Sequence, residues 1–599
     1  MNSGNVVKRA ARPSIFCPAG NRKIVILVLG LVVASAVIYL PVLQNDFVNF
    51  DDVFYIIHNP LITNVTGENI KNIFSQFYFG NYHPLTMLSL ALDHELAGLN
   101  PRMYHATNVL LHCLNTVLVF WFMCLLINRN KHAHEDDGWN LTIPLITAVF
   151  FGLHPLHVES VAWASQRKDL LYSLFYLACL IAYLHYVCGG SRKFYMLSLL
   201  FFLLSALSKA MAVSLFGIII ALDYYLDRLP FLNPDVASGR GEGPTAENDP
   251  SDSDATLFPR RPMQKYIILE KIPYLLLSLV FGIVAIQAQK SASFVAHTSL
   301  FPMMQRILFA CYGFCQYLIK LIFPVRLSAY YPYPETDGGG VPFEYMLWPV
   351  MVIGVFIWLL TSLKRNRVVA FGLLFFILNI LPVLQLLPIG NFIMAERFTY
   401  LPSLGVFVLI GVGFRTLAVK APKLVNVLRI LFVAYLILLA LITFNRSKIW
   451  RDSITLWDDV LAKNPQVWLA LNNRGIAKSE TGDFQGAIAD YTRALLLKPD
   501  YADAYCNRGN LKGQHQDYNG AIADFNAAIQ HQPGHGNALA NLAEAHFYRG
   551  VARFQAADYQ GALADFTRVV SLNPHYPGAQ RNLQLTKRRL GLSPNGGNR

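Results

Sequence analysis

Twelve apolar runs follow one another between Ile24 and Asn445, and they leave that part of the chain one physical setting, a lipid bilayer. They lie near residues 24–43, 106–127, 141–157, 170–189, 194–209, 210–228, 267–286, 303–323, 344–361, 366–388, 399–415 and 425–444. Most are long enough, at 1.5 Å per helical residue, to cross roughly 30 Å of hydrocarbon. Composition agrees, because charged residues make up 15% of the 599, against about 25% in an average soluble domain. A chain of this length also exceeds a single core, so more than one unit is expected.

Charge beside the runs sets their direction. Residues 1–23 carry Lys8, Arg9, Arg12, Arg22 and Lys23 and no acid, which marks a cytoplasmic basic tail. The run that follows is longer than a signal-peptide core and is followed by no small-x-small cleavage site, so it reads as an uncleaved first span. Basic connectors at Ser191-Arg192-Lys193, Lys364 to Arg367 and Arg415 to Lys423 fit the cytoplasmic side. Segment 229–264, rich in Pro, Gly, Ser and Asp, reads as a flexible cytoplasmic loop. Twelve crossings would return the C-terminus to the cytoplasm, whereas the connectors after residue 360 require the last span to exit outward. One run therefore does not cross. The region 303–323, with Tyr330-Tyr331-Pro332-Tyr333-Pro334 after it, is the expected exception, leaving about 11 crossings in a membrane domain over 24–445. The net charge of +13 is then topological, and no nucleic-acid motif accompanies it. The eight cysteines form no CxxC pair and read as small packing residues rather than a disulfide or zinc framework.

Beyond Arg446 the composition becomes that of a polar helical protein, and a period of 34 residues appears. Gly475, Phe484, Ala487, Tyr491, Ala494 and Pro499 recur as Gly509, Tyr518, Ala521, Phe525, Ala528 and Pro533, then, 41 residues on, as Gly550, Tyr559, Ala562, Phe566, Val569 and Pro574. The seven extra residues fall before Gly550, where a first helix is expected to be longer. Small residues permit close helix contact, aromatics fill the gap, and Pro ends the second helix. This is the tetratricopeptide repeat (TPR) signature. Ser453 to Asn464 reads as the second helix of a degenerate preceding repeat and Leu583 to Leu590 as a cap, so the array spans 453–590, with 591–599 a disordered tail.

Three segments on the outer side concentrate polar chemistry. The first outer loop, 44–105, holds Asp51 and Asp52 in Phe50-Asp51-Asp52-Val53-Phe54-Tyr55. A paired carboxylate there suits a general base, a metal ligand or a helix N-cap. His83 and Arg102 in the same loop read as acceptor-binding or loop-supporting. The second segment runs from His154-Pro155-Leu156-His157-Val158-Glu159 to Gln166-Arg167-Lys168-Asp169. Its HxxH spacing is too common to assign a metal, while Arg167 and Lys168 on the outer side break the positive-inside pattern and favour an anionic partner such as a lipid phosphate. The third carries Glu396 and Arg397 in Ala395-Glu396-Arg397-Phe398-Thr399-Tyr400-Leu401-Pro402-Ser403, where charge requires a partner or ligand. Lys209, in a short turn, reads as a snorkelling lysine. A substrate taken from the bilayer, a lipid-phosphate sugar, fits these groups. Its phosphate is a good leaving group, a carboxylate deprotonates the acceptor, and Arg or Lys stabilises the departing phosphate.

Phe50-Asp51-Asp52, Asn81-Tyr82-His83-Pro84-Leu85-Thr86, Gly98-Leu99-Asn100-Pro101, Asn108-Val109-Leu110-Leu111-His112, His154 to Asp169, and Ala395 to Ser403 together resemble the TPR-bearing membrane glycosyltransferases of the GT-C fold, the transmembrane and TPR-containing O-mannosyltransferases and their bacterial relatives. The resemblance implies an all-α architecture, a polytopic GT-C-like domain followed by a TPR α-solenoid. It implies an inverting transferase that moves a sugar, mannose in the eukaryotic members, from a polyprenyl-phosphate donor to Ser or Thr of a protein. By that analogy the Asp51/Asp52 pair carries the catalytic acid. His154, His157, Glu159, Arg167, Lys168, Glu396 and Arg397 would line the donor site. No cofactor is assigned, since some GT-C enzymes use a divalent metal and others do not. The wording of the His154 and Ala395 motifs is closer to the bacterial members, which favours an inner-membrane protein with a periplasmic array over an endoplasmic-reticulum protein with a luminal one. Where the eukaryotic motif reads Gly-Arg-Ala-Asp, this chain reads Gln166-Arg167-Lys168-Asp169. The competing expectation is a non-enzymatic membrane scaffold that recruits proteins through its TPR array.

Overall fold

A computed structural model describes residues 22–128, 141–229, 264–291, 301–334, 340–386 and 390–592. Most of the basic tail 1–23, nearly all of the loop 229–264 and most of the tail 591–599 lie outside the described residues. The chain divides into two units, Met1–Arg451 and Asp452–Arg599.

In the first unit each apolar run is built around a helix: Arg22–Ile38, Pro101–Ile127, Thr142–Leu153, Arg167–Gly189, Arg192–Ser208, Leu215–Tyr225, Ile272–Ser291, Met303–Ile322, Trp348–Arg365, Arg367–Ile380, Ser403–Lys420 and Val425–Ser447. Among the described residues, length and apolarity alone qualify six helices as spans, or seven if Thr142–Leu153 and Pro155–Ala162, bent by 50°, count as one. The shortfall from the expected 11 comes from helices interrupted within a run or only 17 residues long, such as Arg192–Ser208. The 50° bend has a local cause. His154 precedes Pro155, which disfavours helical backbone, and its ring nitrogen accepts the Leu156 N–H at 3.3 Å. Met303–Ile322, expected not to cross, carries Arg306 and Lys320 and is the most amphipathic of the twelve.

Large apolar side chains point outward on these helices, among them Val350, Leu360, Ile430 and Leu431. A water-soluble surface rarely gathers so much apolar area, so this is a multi-pass membrane protein. Lipid supplies no hydrophobic force between helices, so they associate through close backbone approach. Arg367–Ile380 meets Ser403–Lys420 at Gly372 and Gly405, and a Cβ on Gly372 would lie 2.9 Å from the Gly405 carbonyl oxygen.

The first outer loop is a folded lobe rather than a simple connector. Helices Gly67–Ser75 and Pro84–Ala97 and short turns enclose Tyr55, Ile56, Ile62, Met87, Leu90 and Tyr104. Tyr331–Pro332 pairs antiparallel with Phe392–Met394, tying the Pro/Tyr-rich stretch to the segment before Glu396. Elsewhere in this unit, Asp223, Arg228, Glu270 and Lys271 form a closed ring of ion pairs. Lys271 meets Asp223 at 2.6 Å and Glu270 at 2.5 Å, and Arg228 meets both acids at 2.9 Å.

The second unit consists of helix pairs Trp468–Glu480 with Phe484–Leu497, Ala502–Gln514 with Tyr518–His531, and Gly536–Gln555 with Tyr559–Leu572, flanked by Ser453–Lys463 and Ala579–Arg589. Gly536–Gln555 has 20 residues where its counterparts have 13, which accounts for the seven-residue shift. The repeating glycine is a contact requirement: a Cβ on Gly509 would lie 2.8 Å from the Phe525 ring. Each pair is also clamped by a bidentate Arg–carboxylate bond sixteen residues apart. Arg474 holds Asp490 at 2.8 and 2.6 Å, Arg508 holds Asp524 at 3.0 and 2.7 Å, and Arg549 holds Asp565 at 3.0 and 2.7 Å. These cations hold the Asp490 and Asp565 carboxyls below the usual range, against burial.

Candidate active site

Asp51 and Asp52 stand at one tight turn yet meet opposite environments. Asp52 is 1% exposed, and its two oxygens accept the Val48 N–H at 3.0 Å and the Ser165 N–H at 2.9 Å. Burial pushes its carboxyl up to about 7 against those two bonds. It ties the first outer lobe to the second outer segment and offers no face to a ligand. The Asp51 side chain is 25% exposed, with the Lys168 ammonium 3.6 Å away. That ammonium also lies 4.7 Å from the centre of the Tyr55 ring, an arrangement favoured by the ring quadrupole.

Aromatic rings pack beside and beneath this pair. Phe50 stacks on Trp163 at 4.5 Å, and Trp163 stacks on Trp450 at 5.3 Å. The Arg397 guanidinium lies 5.4 Å from the Trp163 ring, 5.3 Å from Phe392 and 5.0 Å from Phe398. It pairs with Glu159, which also accepts the Arg397 backbone N–H at 2.9 Å. Asp51 lies within electrostatic reach of Arg397. The resulting cluster is a partly exposed carboxylate with two cations beside it and the partly exposed rings of Phe50, Phe392 and Phe398 around them, suited to a ligand that combines an anion with a sugar or lipid.

The other expected residues form a supporting shell. Arg167 is fully buried. It donates to Asn108 at 2.9 Å and the Tyr104 carbonyl at 2.7 Å, and pairs with Asp93. It therefore faces the lobe rather than a lipid phosphate. Glu396 is buried and saturated, accepting from Ser328 N at 2.7 Å, Tyr331 OH at 2.6 Å and Arg446 at 2.9 Å. His154 contacts the Leu321 carbonyl at 3.1 Å, and His157 contacts the Phe151 carbonyl at 2.8 Å and Ser403 Oγ at 3.0 Å, so both rings brace the bend. His83 is buried against Tyr55, with ring centres 5.2 Å apart. Burial, with Lys168 and Lys209 nearby, pushes its imidazole down to about 3. Arg102 is exposed on the first turn of Pro101–Ile127, and among the described residues no ion pair joins it to the cluster. Among the described residues, no three His, Cys, Asp or Glu side chains converge at metal-binding spacing.

Lys209, expected to snorkel, is instead held inward. It pairs with Asp169, with its ammonium 5.6 Å from Phe398 and 5.7 Å from Tyr172. The signal available in the sequence was its place in an outer turn, on the same side as Lys168. Asp93 and Arg446, the partners of Arg167 and Glu396, carry no local signature.

Fold and site together define a multi-pass membrane protein with a charged outer cluster and a TPR array. Residues 475–516 match the TPR repeat family, and 502–535 and 543–576 match further tetratricopeptide repeat descriptions. Along the wider chain the relatives are protein O-mannosyl-transferases. Human TMTC1 is 26% identical over 79% of this chain and 55% of its own length, and human TMTC3 is 25% identical over 81% and 52%. Protein O-mannosyl-transferase F38B6.6 of Caenorhabditis elegans is 25% identical over 79% and 62%. The chain is thus similar to these protein O-mannosyl-transferases, and it spans between half and two thirds of their length. Among solved structures, the crystal structure of MamA protein aligns with 23% of this chain and 73% of its own at 20% identity, with a TM-score of 0.20.

Proposed function

We propose that the chain is an inverting GT-C-type glycosyltransferase that moves mannose from a polyprenyl phosphate to Ser or Thr hydroxyls of a protein. The observation that carries this reading is Asp51, the accessible member of the acidic pair, set beside Lys168 and within reach of Arg397. Asp51 accepts the proton of the acceptor hydroxyl as its oxygen attacks the anomeric carbon. The bond from that carbon to the phosphate oxygen breaks on the opposite face, and its electron pair leaves with the phosphate. Lys168 and Arg397 hold the phosphate, and the partly exposed Phe50, Phe392 and Phe398 rings flank the site. Glu159 positions Arg397. Asp52 fixes the turn, and His83, His154, His157, Arg167 and Glu396 hold the surrounding segments.

The TPR array binds the acceptor or a partner protein on the same non-cytoplasmic side as Asp51, which follows from an odd number of crossings with Met303–Ile322 lying outside the count. That side is the periplasm in a bacterial host and the lumen in a eukaryotic one. Mass spectrometry of protein-linked sugars, in cells with and without the protein, tests the activity. Hexose on Ser or Thr that disappears with the protein is expected, and an unchanged glycan profile would support the scaffold reading instead. A reporter after Arg599 that is read as cytoplasmic would overturn the topology.

A further inference from the structure

We infer that Lys209 is a third cation of the donor site, one that acts on the second charge appearing on the phosphate as it leaves. This rests on the transferase reading above. The backbone breaks to place it. Helix Arg192–Ser208 ends, Lys209 is extended at φ −161° and ψ 136°, and a short turn, Ala210–Ser214, begins at once. The side chain is 14% exposed, close to the 13% of Lys168 and 11% of Arg397. The Phe398 ring that faces Arg397 at 5.0 Å faces Lys209 at 5.6 Å, and Lys209 lies within electrostatic reach of both other cations.

Charge arithmetic gives the cluster its meaning. Lys168 pairs with Asp51, Lys209 with Asp169 and Arg397 with Glu159, so three positive charges face three negative ones. The donor phosphodiester adds one negative charge. On transfer the acceptor proton passes to Asp51, the sugar–phosphate bond breaks, and the phosphate becomes a monoester carrying up to two negative charges. Negative charge thus moves from Asp51 to the phosphate, away from the partner of Lys168. Arg397 remains held by Glu159 through both its backbone and its guanidinium. Lys209 has three N–H donors, and among the described residues its ammonium donates to Asp169 alone. Its remaining donors are free for phosphate oxygens. An interaction that strengthens as charge develops raises turnover more than it lowers KM. Asp169 holds the ammonium while no donor is bound and competes with the phosphate for it.

The test uses full-length protein in detergent, a short-chain prenyl phosphate as product, and the matching prenyl-phosphoryl mannose with a Ser/Thr peptide as substrates. Lys209→Gln is expected to weaken prenyl phosphate binding about tenfold or more, the scale of one charged hydrogen bond, and to lower kcat by a similar factor. The donor KM should stay within about threefold, and Lys209→Arg should recover most of both losses. Asp169→Asn, which releases Lys209 from its carboxylate, should leave prenyl phosphate binding as tight as wild type or tighter. A purely structural strut predicts the opposite: product affinity unchanged in Lys209→Gln, rate loss tracking a fall in melting temperature, and weaker binding in Asp169→Asn. Any of these overturns the inference. If Lys209→Gln does not fold, Lys209→Arg and Asp169→Asn decide alone. Wild-type protein that neither transfers nor binds prenyl phosphate would remove the donor reading itself. Wild-type transfer with an unaffected Lys209→Gln would remove only Lys209.

Discussion

Changing Asp51 and Asp52 one at a time separates chemistry from architecture. Asp51→Asn keeps the shape and hydrogen-bonding length of the side chain and removes its ability to accept a proton. Its ion pair with Lys168 is partly exposed and 3.6 Å long, a class of contact that contributes about 0–1 kcal/mol. The melting temperature should therefore move by no more than about 2 °C. The rate should fall about 10²–10⁴-fold, the usual worth of a positioned general base. Asp52→Asn does the reverse. Asn offers one acceptor oxygen where the carboxylate serves both Val48 and Ser165, so one buried N–H faces an amide NH₂ and the turn that carries Asp51 loosens. Displacement of a catalytic group by about 1 Å costs up to about 10²-fold, and here that loss should come with a shift of the unfolding transition. Both variants are assayed for transfer from prenyl-phosphoryl mannose to a peptide, beside thermal unfolding in detergent. An Asp51→Asn protein that keeps a third of the wild-type rate refutes the assignment. So does an Asp52→Asn protein with intact melting and abolished turnover, which would make Asp52 the base.

Asp52 also predicts a pH dependence. Its folded-state carboxyl titrates near 7, above the value of about 3.9 in an unfolded chain, so its contribution to stability is complete below about pH 4 and is lost as pH rises through about 7. Asp52→Asn should flatten that part of the melting curve against pH, and an unchanged slope would assign it elsewhere. Glu396→Gln removes the carboxylate that meets the buried Arg446 guanidinium at 2.9 Å, with both side chains at or below 5% exposure, and should cost about 3–5 kcal/mol in denaturant unfolding. Gly509→Ala drives a methyl toward the Phe525 ring and should cost about 1–3 kcal/mol. Gly534→Ala, where a Cβ meets nothing within 4 Å, should stay within about 0.5 kcal/mol. Hydrogen exchange across 502–531 compares the two, and equal protection would refute the contact argument.

Periodic features were the legible ones. Apolar runs near twenty residues became helices, and the 34-residue spacing became helix pairs with the long first helix before Gly550 in place. Pairings across the chain were not legible, because neighbours in sequence part company in space. Glu396 and Arg397 are adjacent, yet one meets Arg446, 50 residues on, and the other Glu159, 238 residues back. Arg167 and Lys168 open the same helix, yet one is sealed against Asp93 and the other reaches Asp51. Successive helical residues point about 100° apart, so a charged doublet rarely shares a destination. Asp52 escaped local reading for a similar reason, since its second partner, Ser165, lies 113 residues away.

The ring of Asp223, Arg228, Glu270 and Lys271 bears on how such a protein can change over evolution. It joins Arg228 and Glu270, with 41 residues between them, by direct ion pairs on either side of that stretch. Closure is thus secured at the two ends of the stretch, and each doubling of the length of a connection adds only about 0.6 kcal/mol of entropic cost. Descendants of this chain can lengthen, shorten or replace that stretch, or host an inserted domain there, without renegotiating the helix packing beneath it.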